Sequence, residues 1–289
     1  QHCIVAKVDE LMALCDRLES EQNDSAAAHG QLFETLLRTL TQSTDTAEFE
    51  ANWQRIAEHF DTLFTTEASI DELQKTLLQL AVRGTLLRRA HADKIKYTRL
   101  GLIGKWAVGS GFPTAEQGVS GEEILFAKVS DMNLPENSHF ITVTNNSISR
   151  KTATRLRVNI HPAGTVIFPK IGGAIATNKR RILICDTAID NNCLGLIPNP
   201  GVTSSWLFVL LSSIDFTKYQ AGTSVPALAQ GVLAEIPVLL PPEEEQRLIV
   251  DKVDELMAVC DKLKASLRAA VSEKEVLSSA LIKRALEAA

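Results

Sequence analysis

Four cations bracket one glycine-bearing turn. Lys170, Lys179, Arg180 and Arg181 flank residues 172–178, where Gly172-Gly173 lets backbone N–H groups come close to an anion. Amide side chains at Asn178, Asn145, Asn146 and Gln220 are of the type that clasps the N6/N7 edge of adenine. Lys or Arg can clasp the O6/N7 edge of guanine, and Thr223 adds a small polar reader. Arg150 and Lys151, followed by Arg155 and Arg157, suit phosphate contacts or plain surface. The predicted DNA-binding set is therefore Lys170, Asn178, Lys179, Arg180, Arg181, Asn145, Asn146, Arg150, Lys151, Gln220 and Thr223. For any one of them the competing reading is a solvated turn residue.

The distribution of charge gives this set its meaning. The chain of 289 residues carries a net charge of −5, which argues against indiscriminate nucleic-acid binding. Between residues 137 and 185, however, there is no Asp or Glu, and eight Lys or Arg occur in those 49 positions. One acid-free basic zone in a mildly acidic chain predicts a polyanion held at one place.

Other chemistries lack their residues. No G-x-x-x-x-G-K-[ST] is present to cradle nucleotide phosphates, and the Gly172-Gly173 turn lacks the Lys-Ser/Thr that such a loop needs. No N-P-P or D-P-P element followed by an aromatic residue is found. Asp186 and Asp190 are the one pair that could serve a metal-dependent nuclease, but no lysine follows in suitable order. The six His residues form no triad with Ser or Asp. Cys3, Cys15, Cys185, Cys193 and Cys260 are scattered without a C-x-x-C pair, as expected of small core residues in a reduced cytoplasmic protein. No catalytic residue and no metal site are predicted.

What must position the basic zone is visible as a repeat. Residues 1–18, QHCIVAKVDELMALCDRL, return at 246–263 as QRLIVDKVDELMAVCDKL, identical at 13 of 18 positions. Each copy has helical period. Ile4, Val8, Leu11, Cys15 and Leu18 make a narrow apolar seam, and Ile249, Val253, Leu256, Cys260 and Leu263 repeat it. A narrow seam calls for a partner helix, either the other copy or another helix of the chain. The first helix is expected over residues 3–40, roughly 55 Å at 1.5 Å per residue. A break at 41–46, a second helix over about 47–64 and a third opened by a Ser69/Glu72 capping box complete the first 95 residues. The middle, 96–242, is rich in Gly, Pro, Asn, Ser and Thr. It has candidate strands at 124–129, 140–143, 165–168, 181–185 and 194–197, and a helix at 204–213. A last helical segment, 243–289, is entered through Pro241-Pro242, with three Glu residues suited to its N-terminal dipole.

The segment IPVLLPPEEEQRLIVDKVDELM, residues 236–257, resembles the region that closes each target-recognition domain in specificity subunits of Type I restriction-modification enzymes. Weaker likenesses follow in the family's order: Gly111-Phe112-Pro113, Asp131-Met132, Ile141-Thr142, residues 164–167, Asn191-Asn192 and Gly222-Thr223. Residues 73–86, LQKTLLQLAVRGTL, resemble the helix that introduces such a domain. The resemblance implies an α+β fold, with long antiparallel, coiled-coil-like helices flanking one mixed target-recognition domain with a twisted sheet. It implies a non-catalytic chain that reads half of a bipartite duplex target and docks methyltransferase subunits, and through the complex a restriction subunit. S-adenosylmethionine, ATP and Mg²⁺ are then expected on those partners, with no cofactor on this chain. Complete subunits of the family resemble two recognition domains, whereas one is found here. Gln1 sits where an E-Q would close an earlier domain, so the second half of a subunit is expected, with a natural half-subunit that dimerises as the alternative. A helical protein–protein adaptor is the alternative, suggested by the acidic balance of the helical parts.

Overall fold

The structure, a computed structural model, describes residues 2–43, 46–84, 95–222 and 224–287. In chain order the elements are α1 (His2–Gln42), α2 (Thr46–Glu58), α3 (Phe60–Leu63), α4 (Glu67–Arg83), β1 (Lys96–Arg99), β2 (Gly104–Val108), β3 (Ile124–Ala127), β4 (Phe140–Ile141), β5 (Ser147–Ile148), α5 (Arg150–Leu156), β6 (Ile160–His161), β7 (Val166–Pro169), β8 (Arg181–Leu183), β9 (Thr187–Ile189), β10 (Cys193–Pro198), α6 (Ser204–Ser213), β11 (Gln220–Ala221), β12 (Ala227–Leu228), α7 (Gln230–Ala234), β13 (Pro237–Leu240) and α8 (Glu243–Glu287). The class is α+β, with helices of 41 and 45 residues at either end of a strand-rich middle. No described helix is long and apolar enough to cross a membrane.

Two compact units result: Gln1–Thr76 with Val259–Ala289, and Leu77–Ala258. The cuts fall inside α4 and α8, not at the ends expected at 95 and 242. Val82 from the end of α4 and Val250 from the start of α8 pack on the core of the strand-rich unit, which therefore includes both helix ends.

The first unit is helical. Leu37, Leu40, Phe49, Ile56, Ile70 and Leu73 are buried, and Phe49, Trp53, Phe60 and Phe64 form an aromatic chain through α2 and α3. The helix expected over 47–64 is split at His59. That predicted from Ser69 starts earlier, at Glu67, because Thr66 is the cap: its Oγ1 accepts the Ser69 N–H at 3.2 Å. Antiparallel pairing of α4 with the α8 segment from Val259 onward is read from its polar partners. Arg268 Nε donates to Glu67 at 2.8 Å, Lys264 Nζ to Gln74 at 2.7 Å and Gln74 Nε2 to Asp261 at 3.1 Å. The second repeat copy thus meets α4. Its Ile249, Val253, Leu256 and Cys260 are buried and Leu263 is half-buried. The first copy lies in α1, but the side chains of Ile4, Val8, Leu11, Cys15 and Leu18 fall outside the described residues.

The second unit is layered, because its strands are apolar on both faces. One five-stranded sheet has the order β2-β10-β7-β8-β4, antiparallel except for β4–β8; a four-stranded sheet runs β5-β3-β9-β6, with β3 and β9 parallel. Alternate residues go to opposite faces. Val166, Phe168, Ile182, Leu194 and Leu196 join Trp206, Leu207 and Leu210 of α6. Their neighbours Ile167, Leu183 and Cys193 instead meet Ala127 and Ile189 of the smaller sheet. That sheet turns Ile124, Phe126 and Ala188 toward Ala153 of α5, and Phe112 stacks on Phe126 at 3.8 Å. Burial pushes the Cys193 thiol well above its ordinary value and Cys260 to about 11, so both act as small apolar side chains. Cys185 departs from the expected pattern: it is exposed.

β13 pairs antiparallel with β1 and passes through Pro241-Pro242 into α8. Gln246, fully buried, fastens that junction. Its Oε1 accepts from Thr203 N at 2.8 Å, while Nε2 donates to Gly201 O at 2.8 Å and Pro241 O at 2.9 Å. Replacing it leaves two carbonyls and one N–H unpaired in a dry site. Gln246→Leu is expected to lower unfolding free energy by about 2–4 kcal/mol in urea titration. A loss below about 0.5 kcal/mol would show that the latch contributes nothing.

Candidate nucleic-acid interface

The 3-10 turn Gly172–Thr177 ends at Asn178, which takes the left-handed conformation with φ 51°. Beside it stands the β11–β12 hairpin. Gly172 N–H donates to Pro226 O at 2.7 Å, Leu228 N–H to Lys170 O at 2.9 Å, and Ile171 forms a bridge with Ala227. Two stretches without acidic residues thus meet: 137–185, and a second at 216–234 that begins just after Asp215 and ends just before Glu235. The second stretch is short, and inspection of the first alone passes over it. Their union is a rim of glycines, hydroxyls and amides with Lys170 at its base.

Arg180 is not on that rim. The DNA contact predicted from its charge is incorrect, because the side chain is only 2% exposed. Its Nη2 donates to Asn178 Oδ1 at 2.8 Å, Nη1 to Lys179 O at 2.9 Å and Nε to Leu211 O at 3.1 Å; Nη2 also reaches Ile214 O at 3.4 Å. The guanidinium lies over the Phe216 ring, 4.1 Å from its centroid, and near Phe168 at 5.3 Å. Burial lowers its pKa to about 9, opposed by Asp215, so the group is still a cation at neutral pH. Asn178 Nδ2 donates to Ser212 O at 2.9 Å. Together they tie the turn to the end of α6 and to the segment that leads into β11.

Several other predicted contacts are also occupied within the protein. Asn146 is buried and its Oδ1 accepts from Gly118 N at 2.8 Å, so it is a turn residue and not a reader. Asn145 is exposed, yet its Nδ2 donates to buried Asp131 at 2.6 Å. Arg181 is half-buried and donates to the backbone oxygens of Asn137, Met132 and Arg180, a second correction to the predicted set. Lys179 Nζ donates to Asn133 Oδ1. Arg150 faces Asp186 at 3.6 Å, and Asp190, buried, accepts from Asn192; these two carboxylates have different surroundings. Among the described residues, Lys170, Lys151 and Gln220 have side chains with no hydrogen bond or ion pair to another described residue. Thr223 lies outside the described residues. Burial also pushes His139 and His161 below the ordinary imidazole value, so near neutrality the positive charge here belongs to Lys and Arg.

A two-sheet module with a basic, loop-built rim, closed by a strand that runs into a long repeat helix, is the class of protein that emerges. Residues 120–273 match the Type I restriction modification DNA specificity domain. The chain belongs to that family. It is similar to the Type I restriction enzyme EcoEI specificity subunit of Escherichia coli, at 29% identity over 98% of this chain and 56% of that protein. A shorter likeness, 53% identity over 94 residues, links it to the EcoAI specificity subunit of the same organism, covering 32% of this chain and 16% of that one. The fold resembles that of a chain solved in work on complex assembly and conformational transition of the type I R-M system, with a TM-score of 0.56, 19% identity, and coverage of 81% of this chain and 56% of that one. It also resembles the HsdS subunit from Thermoanaerobacter tengcongensis, with a TM-score of 0.51, 19% identity, and coverage of 76% and 51%. The chain spans about half the length of the EcoEI relative.

With four oxygens and two rings organised around one guanidinium, Arg180→Met should destabilise the fold by roughly 3 kcal/mol or more, read from denaturant unfolding. Arg180→Lys, which keeps the charge but not the planar fork, should recover less than half of that loss. Full recovery by lysine would mean that charge alone matters at this position.

Proposed function

We propose that this chain reads one half of a bipartite duplex DNA target as the sequence-recognising part of a Type I restriction-modification complex. The observation that carries the reading is the convergence of two acid-free stretches on one solvent-facing rim, in a module of the specificity-domain family. A rim of this kind attracts the phosphate backbone through its lysines and leaves polar side chains for base edges. Methyltransferase subunits are the partners proposed for the helices, with a restriction subunit joining through the complex. Methyl transfer from S-adenosylmethionine and the ATP- and Mg²⁺-dependent steps then fall to those partners; this chain holds no cofactor and performs no bond-making step. The cytoplasm, where such a complex meets DNA, is the proposed location.

The test is binding to a pool of random-sequence duplexes, followed by fluorescence anisotropy across a NaCl series. A chain with Lys170→Ala should bind more weakly. Its log–log salt slope should fall by about 0.9 for each phosphate that is no longer neutralised. Unfolding should be unchanged, since the Lys170 side chain makes no hydrogen bond or ion pair to another described residue. If affinity and slope match the parent chain, the rim is not where DNA sits.

A further inference from the structure

We propose that the β11–β12 hairpin is the base-reading element, with Val225 at its tip contacting a thymine methyl group in the major groove; this rests on the DNA-reading function proposed above. Val225 is 60% exposed, although it is apolar and lies between two paired strands. Its position is fixed from several sides. Pairing of Gln220 with Leu228 and of Ala221 with Ala227 closes the hairpin. Pro226 O is held by Gly172 N–H, and Ala227 by Ile171. Gly222 turns the chain at φ 98°, where a Cβ would stand 2.9 Å from Val225 O; only glycine allows this approach. Behind the hairpin, Phe216 is clamped by the Arg180 guanidinium four residues before β11 begins.

A valine 60% exposed and held in place by its backbone contributes little to folding from where it stands. On a rim built from two stretches that carry no Asp or Glu, it matches the one apolar feature that a base pair offers in the major groove, the C5-methyl of thymine. A two-stranded ribbon is of a size that the groove admits. Gln220, exposed on β11, carries the amide that suits an adenine edge, and Lys170 beneath the hairpin suits the flanking phosphate. Reading and holding are thereby divided between neighbouring residues. The hairpin tip discriminates, while the lysines supply affinity that does not depend on sequence.

The experiment uses the whole chain, with selection from random duplexes followed by binding to the enriched sequence and to versions in which each thymine is replaced by deoxyuridine. For the parent chain, removal of one thymine methyl should weaken binding about fourfold, as expected for one buried methyl group. In Val225→Ser that same replacement should have no effect, with salt slope and thermal midpoint unchanged. Gln220→Ala should relax the preference at a different base pair. If Val225→Ser selects the same sequence and keeps the same deoxyuridine penalty, or if the parent chain binds duplexes without any preference, the hairpin is not the reader although DNA binding stands. If the parent chain binds no duplex at low salt, the DNA-reading function itself fails and this assignment goes with it.

Discussion

A cation buried in the protein interior must have its donors satisfied, and that requirement constrains everything near it. Arg180 meets that requirement by collecting oxygens from two directions: Asn178 and Lys179 on the turn, and Leu211 and Ile214 at the end of α6. A guanidinium can do this because its donors spread in a plane, and because that plane can lie on an aromatic ring, here Phe216. The consequence is geometric. The turn that carries the glycines and the segment that leads into the hairpin are fastened to one buried group, so the rim they form is held from below. Preorganisation of this kind lowers the ordering cost when a ligand arrives.

The electrostatics of the rim follow from what is missing more than from what is present. Of the eight cations in residues 137–185, Arg180 is internal, Arg181 is half-buried against carbonyls, and Arg150 and Arg155 face Asp186 and Glu116. Lys151, Arg157, Lys170 and Lys179 remain. Because no carboxylate lies in either converging stretch, the stretches themselves place no opposing charge among the remaining cations, and the backbone N–H groups of the turn add to them. A net charge of −5 for the whole chain is compatible with this, since screening confines such fields to about 10 Å at 0.1 M salt.

Helices and strands are largely legible in the sequence, because apolar period is a local property. The repeat marks α1 and α8, and the strands expected at 124, 140, 165, 181 and 194 each start within a residue of an observed one. What the sequence hides is non-local. Thr66 and Ser69 both look like caps, and only the backbone decides between them. Arg180 and Lys170 look alike as basic residues beside a glycine turn, yet one is enclosed by α6 and Phe216 and the other is not. Asn146 and Asn145 have the right chemistry for base edges and are used instead to complete Asp131 and the 118 turn. Position in the chain cannot reveal which polar groups the protein has already consumed. Val225 is invisible for the opposite reason: an apolar residue next to proline reads as core until its exposure is known.

The separation of fixed from free residues has a functional logic of its own. Gln246 holds its junction by bonding to main-chain atoms, and three of the four hydrogen bonds of Arg180 also go to backbone carbonyls; those bonds are indifferent to what side chains the loops bear. The side chains of Gln220 and Val225, by contrast, face solvent and belong to no core cluster. A module built this way can alter Gln220 and Val225 with little effect on stability, since exposed substitutions rarely exceed about 0.5 kcal/mol. Glycine at 222 is the exception, because there the backbone and not the side chain is what matters. A recognition surface whose geometry is set by backbone bonds and whose chemistry is set by uncommitted side chains can change its target while keeping its fold.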